Sequence, residues 1–468
     1  MYFKEFMFNG KNQEQLTFDS QFFGEAFKVP ENDPHLLIAN KIDWDDLLFN
    51  LKVYYSSRGV YSIPVKNLVL LLLFKHYHSC SDVEIVEMLA GSLPMQKALN
   101  ITFKEAQIWS RKEFYFKKHK KKEIKISGYI NPATLSLFRK RLGSEGIELI
   151  MNSINKVIKP KRQSKTIIVD TTVSPSNILY PTDINLLEKA RQVTLRHLKS
   201  VNSSLGLKFR TYKQIARKTF LNYIKLGKKK RLESRKVQGK MIRFLERNLK
   251  QFKKAFTKKC ELHADKKLVQ PKFPKEIEVI ETLLAQQKEL WRKTPRNGNK
   301  QGISIKDRIV SIFKPHVRPM SRGKIPNPTE FGGKLLLVMR DGFLSLLKVT
   351  FTNENDCVIV KEFIEKWKGL IVGGDRGIFS KENERLAKEH GIKHFLVEIK
   401  GKKSLEKTNG VKRIRKIRPA IEAKIGLAKR KYGLGRNKYQ RGEDGERQWI
   451  QLALSAMNLR LYIRKAQL

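Results

Sequence analysis

Apolar residues recur at helical spacing from Ile42 to about Ile158. Within that stretch Ser81-Asp-Val-Glu84 reads as a capping box, opening a helix that carries Val83, Val86, Met88 and Leu89. Asn131-Pro132 reads as a cap followed by proline at the first helical position, ahead of an apolar face of Leu135, Phe138 and Leu142. Residues 1–41 show little periodicity and are expected to form an arm. The pattern then changes. Ile167-Ile-Val169 is a short β-branched run, the signature of a strand buried on both faces, and Asp170 follows where that strand would emerge from the core. Pro181 and the pair Thr182-Asp183 predict a turn and a helix cap, with Leu186, Leu187 and Ala190 in the helix behind them. Helical spacing continues to about Lys300, as at Phe244, Leu245, Leu249, Phe252 and Phe256.

Strand signals return at Ile309-Val-Ser-Ile-Phe313, and Lys334–Met339 and Phe343–Phe351 around Asp341-Gly342 predict an antiparallel hairpin. Val360, Phe363, Ile364 and Trp367 predict a helix. Leu370-Ile-Val-Gly-Gly-Asp375 is a second short buried strand ending in an aspartate. Ser380-Lys-Glu-Asn383 opens another helix and His394–Ile399 makes a further strand. Arg418-Pro419 is expected to begin the next helix, because proline suits a first helical turn, and Trp449–Arg464 to form the last one.

Composition narrows the partners rather than the fold. A chain of 468 residues is long enough for two or three domains. Its 96 Lys and Arg against 45 Asp and Glu give a formal net charge of +51, which favours polyanions and steeply salt-dependent binding. The excess is concentrated: residues 199–270 hold 23 basic and 4 acidic side chains. A charge run is usually a solvated face, but one this one-sided repels itself unless an anion neutralises it, which favours nucleic acid. Two further basic stretches carry the same implication. Residues 111–125 read as a solvated loop or a phosphate contact. Arg318, Arg322 and Lys324 share a proline-stiffened loop. An anionic membrane surface is the competing partner, although the longest apolar run, Leu68–Phe74, is far too short to span a bilayer.

Met1-Tyr-Phe-Lys-Glu leads into polar sequence without a secretory pattern. The three cysteines, Cys80, Cys260 and Cys357, lie far apart with no CxxC pairing, which suits a reducing cytosol. His76, His78 and Cys80 stand two apart near a helix end, so they point in different directions and make a poor metal cluster.

The candidate chemistry rests on carboxylates. Asp170 and Asp375 each follow a short buried strand, where a side chain is held rigidly, and a turn or cap role is the alternative reading of the Asp170 segment alone. Glu422 has Arg418 four residues before it and Lys429 seven after, close to two helical turns. Glu398, at the end of a strand, is the rival third acid, and Asp183 is a helix cap or a further ligand. Such carboxylates suit Mg²⁺ or Mn²⁺, and two ions about 4 Å apart serve in-line phosphoryl displacement. Gly373-Gly374 is not followed by Gly-Lys-Ser/Thr and so is no phosphate loop; it permits close backbone approach.

At these residues the chain resembles the DDE transposases of bacterial insertion sequences. The matching segments are Ile168-Val-Asp170-Thr-Thr-Val, Tyr180-Pro-Thr-Asp183, Pro315-His-Val-Arg-Pro with Arg322-Gly-Lys, Gly374-Asp375-Arg-Gly, and Arg418 through Tyr432-Gly-Leu. Ser81-Asp-Val-Glu and Leu137-Phe-Arg-Lys-Arg-Leu142 extend the likeness into the N-terminal part. A related group carries Tyr, two residues, Arg, three residues, Glu, six residues, Lys. Arg418, Glu422 and Lys429 keep that spacing, and Arg415 stands where the tyrosine would be.

The resemblance implies an α/β fold: a ribonuclease-H-like mixed sheet with flanking helices, interrupted by a long basic helical insertion and preceded by an all-helical domain. The expected boundaries are an arm at 1–41, a DNA-binding domain at 42–160, the catalytic domain at 161–183 and 303–468, and the insertion at 184–302. For the N-terminal domain a helix-turn-helix is one candidate. It implies Asp170, Asp375 and Glu422 as a catalytic, metal-binding trio with two Mg²⁺ (or Mn²⁺) ions, and Arg418, Lys429, Arg318, Arg322 and Lys324 as DNA contacts. The partners implied are double-stranded DNA, as terminal inverted repeats and target, and a second copy in a synaptic homodimer, with no membrane. The implied location is the cytoplasm, on the bacterial nucleoid. Two other functions are weighed against this one: a catalytically inactive basic DNA-binding protein derived from a transposase, and an RNA-binding or RNA-processing enzyme.

Overall fold

The computed structural model describes residues 29–56, 63–101, 113–117, 123–127, 129–264, 273–300, 302–321, 329–397, 409–437 and 442–466. Contacts divide the chain into two units, Met1–Ser176 with Gly333–Leu468, and Asn177–Gly332.

The first unit begins with helices α1 (Pro34–Lys41), α2 (Trp44–Leu51), α3 (Val65–His78), α4 (Asp82–Gly91) and α5 (Leu93–Ala98). Helix α1 lies where only an arm was expected, capped by Asp33, whose side chain accepts from the His35 amide at 2.8 Å. Helix α3 is buried on all sides; every residue from Leu68 to Phe74 is at most 2% exposed. Among the described residues no helix is long and apolar enough to cross a membrane. The predicted capping box opens α4: the Ser81 hydroxyl accepts from the Glu84 amide at 3.2 Å and Glu84 from the Ser81 amide at 2.6 Å. Asp82, in its first turn, accepts from Lys75 at 2.7 Å and from both Arg139 nitrogens at 2.8 and 2.6 Å.

Strands β1 (Glu113–Lys117) and β2 (Glu123–Ser127) pair antiparallel, which corrects the reading of residues 111–125 as a loop. Phe114-Tyr-Phe and Ile124-Lys-Ile have the aromatic and β-branched content that a pleated pair favours, and the surrounding lysines mask it. Helix α6 (Pro132–Ile158) starts at the predicted Asn131 cap and breaks at Gly143, whose φ of 64° suits glycine.

Strand β3 (Thr166–Pro175) leads out of this unit. In the second unit, helices α7 (Asp183–Leu205), α8 (Lys213–Lys225), α9 (Arg231–Ala264) and α10 (Lys275–Lys293) precede β4 (Arg318–Ser321). Leu187, Ala190, Met241, Leu245, Phe252, Ile277, Ile280 and Leu283 form its core, so the basic segment has an apolar interior of its own. Ile309–Phe313 is not a regular strand as predicted. Its backbone is met by side chains instead: the Ile309 amide donates to Gln286 at 2.9 Å, and Ile309 and Ile312 pack into the helical core. Strand β4 pairs antiparallel with the start of β5 (Thr329–Arg340).

Back in the first unit, β5 turns at Asp341-Gly342 into β6 (Phe343–Thr350), as predicted, with Arg340 opposite Phe343. Helix α11 (Asp356–Lys361) ends early, and Ile364–Trp367 forms a separate 3₁₀ turn in place of the continuous helix expected. Then come β7 (Ile371–Gly374), α12 (Lys381–Glu389), β8 (His394–Val397), α13 (Asn409–Lys431) and α14 (Gly442–Ala466). The sheet runs β5–β3–β7–β8, with β6 on β5, and the three strands β3, β7 and β8 are parallel.

Its two faces are covered by different helices. Ile168, Leu335 and Leu337 pack with Ile414, Ile421 and Ile425 of α13 and Ile450, Ala453 and Met457 of α14. Ile167, Val169, Leu336 and Val372 pack on the opposite side with Ile359, Val360, Trp367 and Ala387. The unit is therefore mixed α/β, with the β-branched run of β3 at its centre, buried on both faces as its composition required.

Candidate active site

Thr166 through Val169 of β3 stand opposite Ile371 through Gly374 of β7. Asp170 and Asp375 are the next residue on each strand. Strand β3 runs on to Pro175, so Asp170 leaves the paired ladder rather than the strand, a small correction to the expectation. Asp375 ends β7 outright and caps a 3₁₀ turn, its Oδ1 accepting the Gly377 amide at 2.9 Å. Asp170 Oδ1 accepts the Thr171 amide at 2.8 Å.

The glycine two residues before Asp375 lets a helix approach. A Cβ on Gly373 would lie 2.6 Å from Ile414 Cδ1 and 3.1 Å from Ile168 Cδ1, so this patch of sheet touches α13 directly. Side chains two apart on a strand share a face, which puts Asp170 on the same side as Ile168, toward α13.

Helix α13 begins well before Arg418. Pro419 lies inside it, which corrects the expectation that Arg418-Pro419 starts the helix and that Glu422 sits in the first turn. Ile414, Ile421, Ile425, Ala428 and Tyr432 line its buried stripe. Arg418 is four residues beyond Ile414 on that line, and Glu422 and Lys429 follow it within a narrow arc, since eleven residues is close to three turns. Arg418 Nη2 stands 3.7 Å from Glu422 Oε1, and the Glu422 side chain is 62% exposed. The helix ends with Gly433 at φ 78°, the Leu434 amide donating to the Ala428 carbonyl at 3.1 Å and the Trp449 indole to the Gly433 carbonyl at 2.9 Å.

Electrostatics ties these groups together. Burial first, and then the neighbouring charge of Asp375, push the Asp170 carboxyl from its ordinary 3.8 up to about 6. Glu422 pushes the same way, while the Thr171 amide and the Arg418 guanidinium oppose it. Asp375, Glu422 and Arg418 thus all act on the Asp170 carboxyl, at the end of the ladder between two inner strands of the sheet. Among the described residues no three His, Cys, Asp or Glu side chains enclose an ion by themselves. The donor set nevertheless fits a hard divalent cation. It is all oxygen, and Mg²⁺ keeps several waters and takes few protein ligands.

Lys429 follows on the same side of α13, and the remaining predicted residues lie elsewhere. Lys429 is half-buried near the end of α13, and its carbonyl accepts the Gly435 amide at 3.3 Å. Arg318 belongs to the second unit; its guanidinium donates to the Pro315 and Val317 carbonyls and stands 3.8 Å from Asp307. Arg322, Lys324 and the rival acid Glu398 lie outside the described residues. Thr182, not Asp183, caps α7. Asp183 accepts from Lys300, Arg308 and Gln287 in the second unit; burial opposes its charge, yet Arg308 and Lys300 hold its carboxyl below the usual range.

Reading the sequence alone missed the polar ladder beyond Asp170 on β3. Ser174 donates to the Leu434 carbonyl at 2.8 Å, Ser176 donates to Glu446 at 2.7 Å, and Thr172 is 5% exposed. Alternate polar residues at 170, 172, 174 and 176 were the available signal.

Comparison with known proteins adds two similarities. Residues 25–115 match the model of a family described as Transposase domain (DUF772), a span that takes in α1 to α5. The chain is also 28% identical over 167 residues, 35% of its length and 71% of the relative's, to the uncharacterized protein ORF8 in the nfe locus of Rhizobium meliloti. No solved structure matches significantly. The two similarities support a transposase-family protein.

Proposed function

We propose that this chain is a DDE-type transposase: it binds the terminal inverted repeats of its element, cleaves DNA strands there and joins the freed 3′ ends to target DNA. The observation that carries the reading is the register of β3 and β7, which makes Asp170 and Asp375 neighbours facing the helix of Arg418 and Glu422. The mixed sheet interrupted by a separate basic helical unit supports a ribonuclease-H-like catalytic part with an insertion.

Asp170, Asp375 and Glu422 would hold two Mg²⁺ or Mn²⁺ ions. When bound, such ions activate the attacking oxygen and stabilise the leaving oxygen of a phosphoryl transfer. The fixed strand ends give Asp170 and Asp375 little freedom, so their geometry is set before DNA arrives. Arg418, which stands near Glu422, and Lys429 on the same side of α13 would meet phosphate oxygens next to the acids. The basic second unit, with Arg318, Arg322 and Lys324, and the N-terminal helices would hold the duplex, and pairing of two element ends calls for a homodimer. The net charge of +51 and a working place on the bacterial nucleoid are consistent with one another.

The test uses the full chain and a duplex carrying the inverted repeats that flank its coding region. Asp170→Asn should abolish strand cleavage in Mg²⁺ while leaving DNA affinity, measured at a stated salt concentration, within about twofold, since few phosphate contacts change. A variant that cuts as well as the parent overturns the catalytic reading and leaves a basic DNA-binding protein.

A further inference from the structure

Helix α9 buries one side in the core of the second unit, through Met241, Leu245, Leu249 and Phe252. Its other side carries one kind of side chain. At about 100° per residue, Lys236, Lys240, Arg243, Arg247, Lys250 and Lys254 fall within an arc of roughly 80°, and Lys258 completes it. Every residue of that arc between 236 and 258 is Lys or Arg, and all of them are exposed. The row is about 33 Å long. Among the described residues only Lys250 has an acid at ion-pair distance, Glu246 at 3.9 Å, and Lys288 engages that acid more closely, at 2.8 Å.

The middle of the row is reinforced. The Arg247 guanidinium stacks 4.4 Å from the centre of the Tyr212 ring, and Arg210 stacks on the same ring at 4.9 Å. Tyr212 has a φ of 52°, which a tyrosine rarely adopts. Its turn is tied to α9 by Asn248 and Gln251, which donate to the Thr211 and Arg210 carbonyls at 3.2 and 3.1 Å. Like charges three and four residues apart destabilise a helix, and the turn adds one more cation beside them. An anion laid along this face removes that cost.

Resting on the proposed function, we propose that the exposed face of α9 is a rail for duplex DNA of any sequence, meeting phosphates of both strands over one helical turn. One turn of the duplex is about 34 Å, close to the length of the row, and a line laid along it crosses each backbone once. Lys and Arg neutralise phosphates, whereas the amides and carboxylates that read adenine and cytosine are absent from the arc. The apolar side of α9 is committed to the core, so the helix cannot sink it into a bilayer as a membrane-surface helix does.

The experiment measures the affinity of the full chain for a duplex of unrelated sequence in EDTA, across about 50 to 200 mM salt. One variant carries Lys240→Gln, Arg243→Gln, Lys250→Gln and Lys254→Gln. A second loses equal charge from exposed positions on α10 and just after it, through Lys275→Gln, Arg292→Gln, Lys293→Gln and Arg296→Gln. Glutamine is nearly as good a helix former as Lys or Arg, so both should keep the parent's Tm. In the first variant the slope of log affinity against log salt should become shallower by about 2–4, since each neutralised phosphate contributes about 0.9. The second should stay within about 1 of the parent. A parental slope in the first variant, or equal losses in both, overturns the rail.

A duplex bearing the inverted repeats should lose the same slope; a loss confined to it overturns sequence independence. A first variant that keeps its slope on DNA but binds duplex RNA or phosphatidylserine vesicles more weakly assigns the face to that polyanion instead. Catalysis is read separately, from Asp170→Asn in Mg²⁺. If the rail holds and Asp170→Asn still cuts, only the proposed chemistry falls; if Asp170→Asn is inert and the slopes are unchanged, only the rail does.

Discussion

Val169 lies opposite Gly374 in the last rung of the parallel β3–β7 ladder, so Asp170 and Asp375 leave that ladder side by side. Two like charges emerging together from a buried sheet are unfavourable on their own, and burial first, then the charge of Asp375, pushes the Asp170 carboxyl up to about 6. Under the proposed function this cost favours a cation beside the pair, and it makes several consequences measurable.

Asp170→Asn should stabilise the metal-free protein. Above pH 7 the wild-type carboxylate is charged while partly buried beside Asp375, and the amide removes that repulsion. A gain of about 1–3 kcal/mol is expected at pH 8, read from urea unfolding in EDTA. A loss of that size would show that Asp170 is held by favourable contacts instead.

The same carboxyl sets a pH window. Its value rises from 3.8 unfolded to about 6 folded. Between these values the folded chain binds the extra proton, so stability falls as pH climbs from about 4 to about 6 and flattens beyond. In Asp170→Asn that downward slope should be absent, which a Tm series in EDTA from pH 4.5 to 7.5 would reveal.

Gly373→Ala should disturb the site from below. The new methyl would lie 2.6 and 2.7 Å from Ile414 carbons, so α13 or the Ile414 side chain must move. A cost of about 1–3 kcal/mol is expected. Adding Ile414→Val should recover part of it, measured as a double-mutant cycle in urea.

Asp82 answers two buried cations, Lys75 and Arg139. Burial works against its charge, yet Arg139 and Lys75 together hold its carboxyl below the usual range. Its contribution is therefore complete above the ordinary carboxylate value and is lost as pH falls through the depressed folded value. Asp82→Asn should destabilise the protein by about 3–5 kcal/mol at pH 7, because two cations stay buried without an anion.

Asp183→Asn should loosen the second unit, where it joins Lys300, Arg308 and Gln287, by about 2–4 kcal/mol. Under the proposed function, the midpoint of its titration with MgCl₂ should match the parent's. A changed midpoint would reinstate Asp183 as a ligand.

The buried strands β3 and β7, the hairpin and the capping box were legible because each is a local signal: short apolar runs, Asp341-Gly342 and Ser81-Asp-Val-Glu84 act over a few residues, although β3 runs past Asp170 to Pro175. The start of α13 was not, because Pro419 looked like a first-turn residue. Yet Ile414, Ile417, Ile421 and Ile425 keep helical spacing straight through it, and tertiary packing on the sheet outweighs one missing hydrogen bond. Ile309–Phe313 failed for the opposite reason: its apolar pattern is real, but Gln286 takes the amide that a neighbouring strand would have paired. The sequence shows Arg318 only as a basic residue of its loop, because it cannot show a side chain folding back onto Pro315 and Val317.

Helix α14 presents Leu452, Leu459 and Ile463 to the N-terminal helices and Ile450, Ala453 and Met457 to the sheet. One rod thus serves as the common wall of two hydrophobic interiors. Under the proposed function, an element could not acquire new end specificity by shuffling its N-terminal helices in as an independent cassette, since the swap would strip one side of that wall. Divergence would have to proceed by exchange of surface side chains, one position at a time, over an interior that stays put.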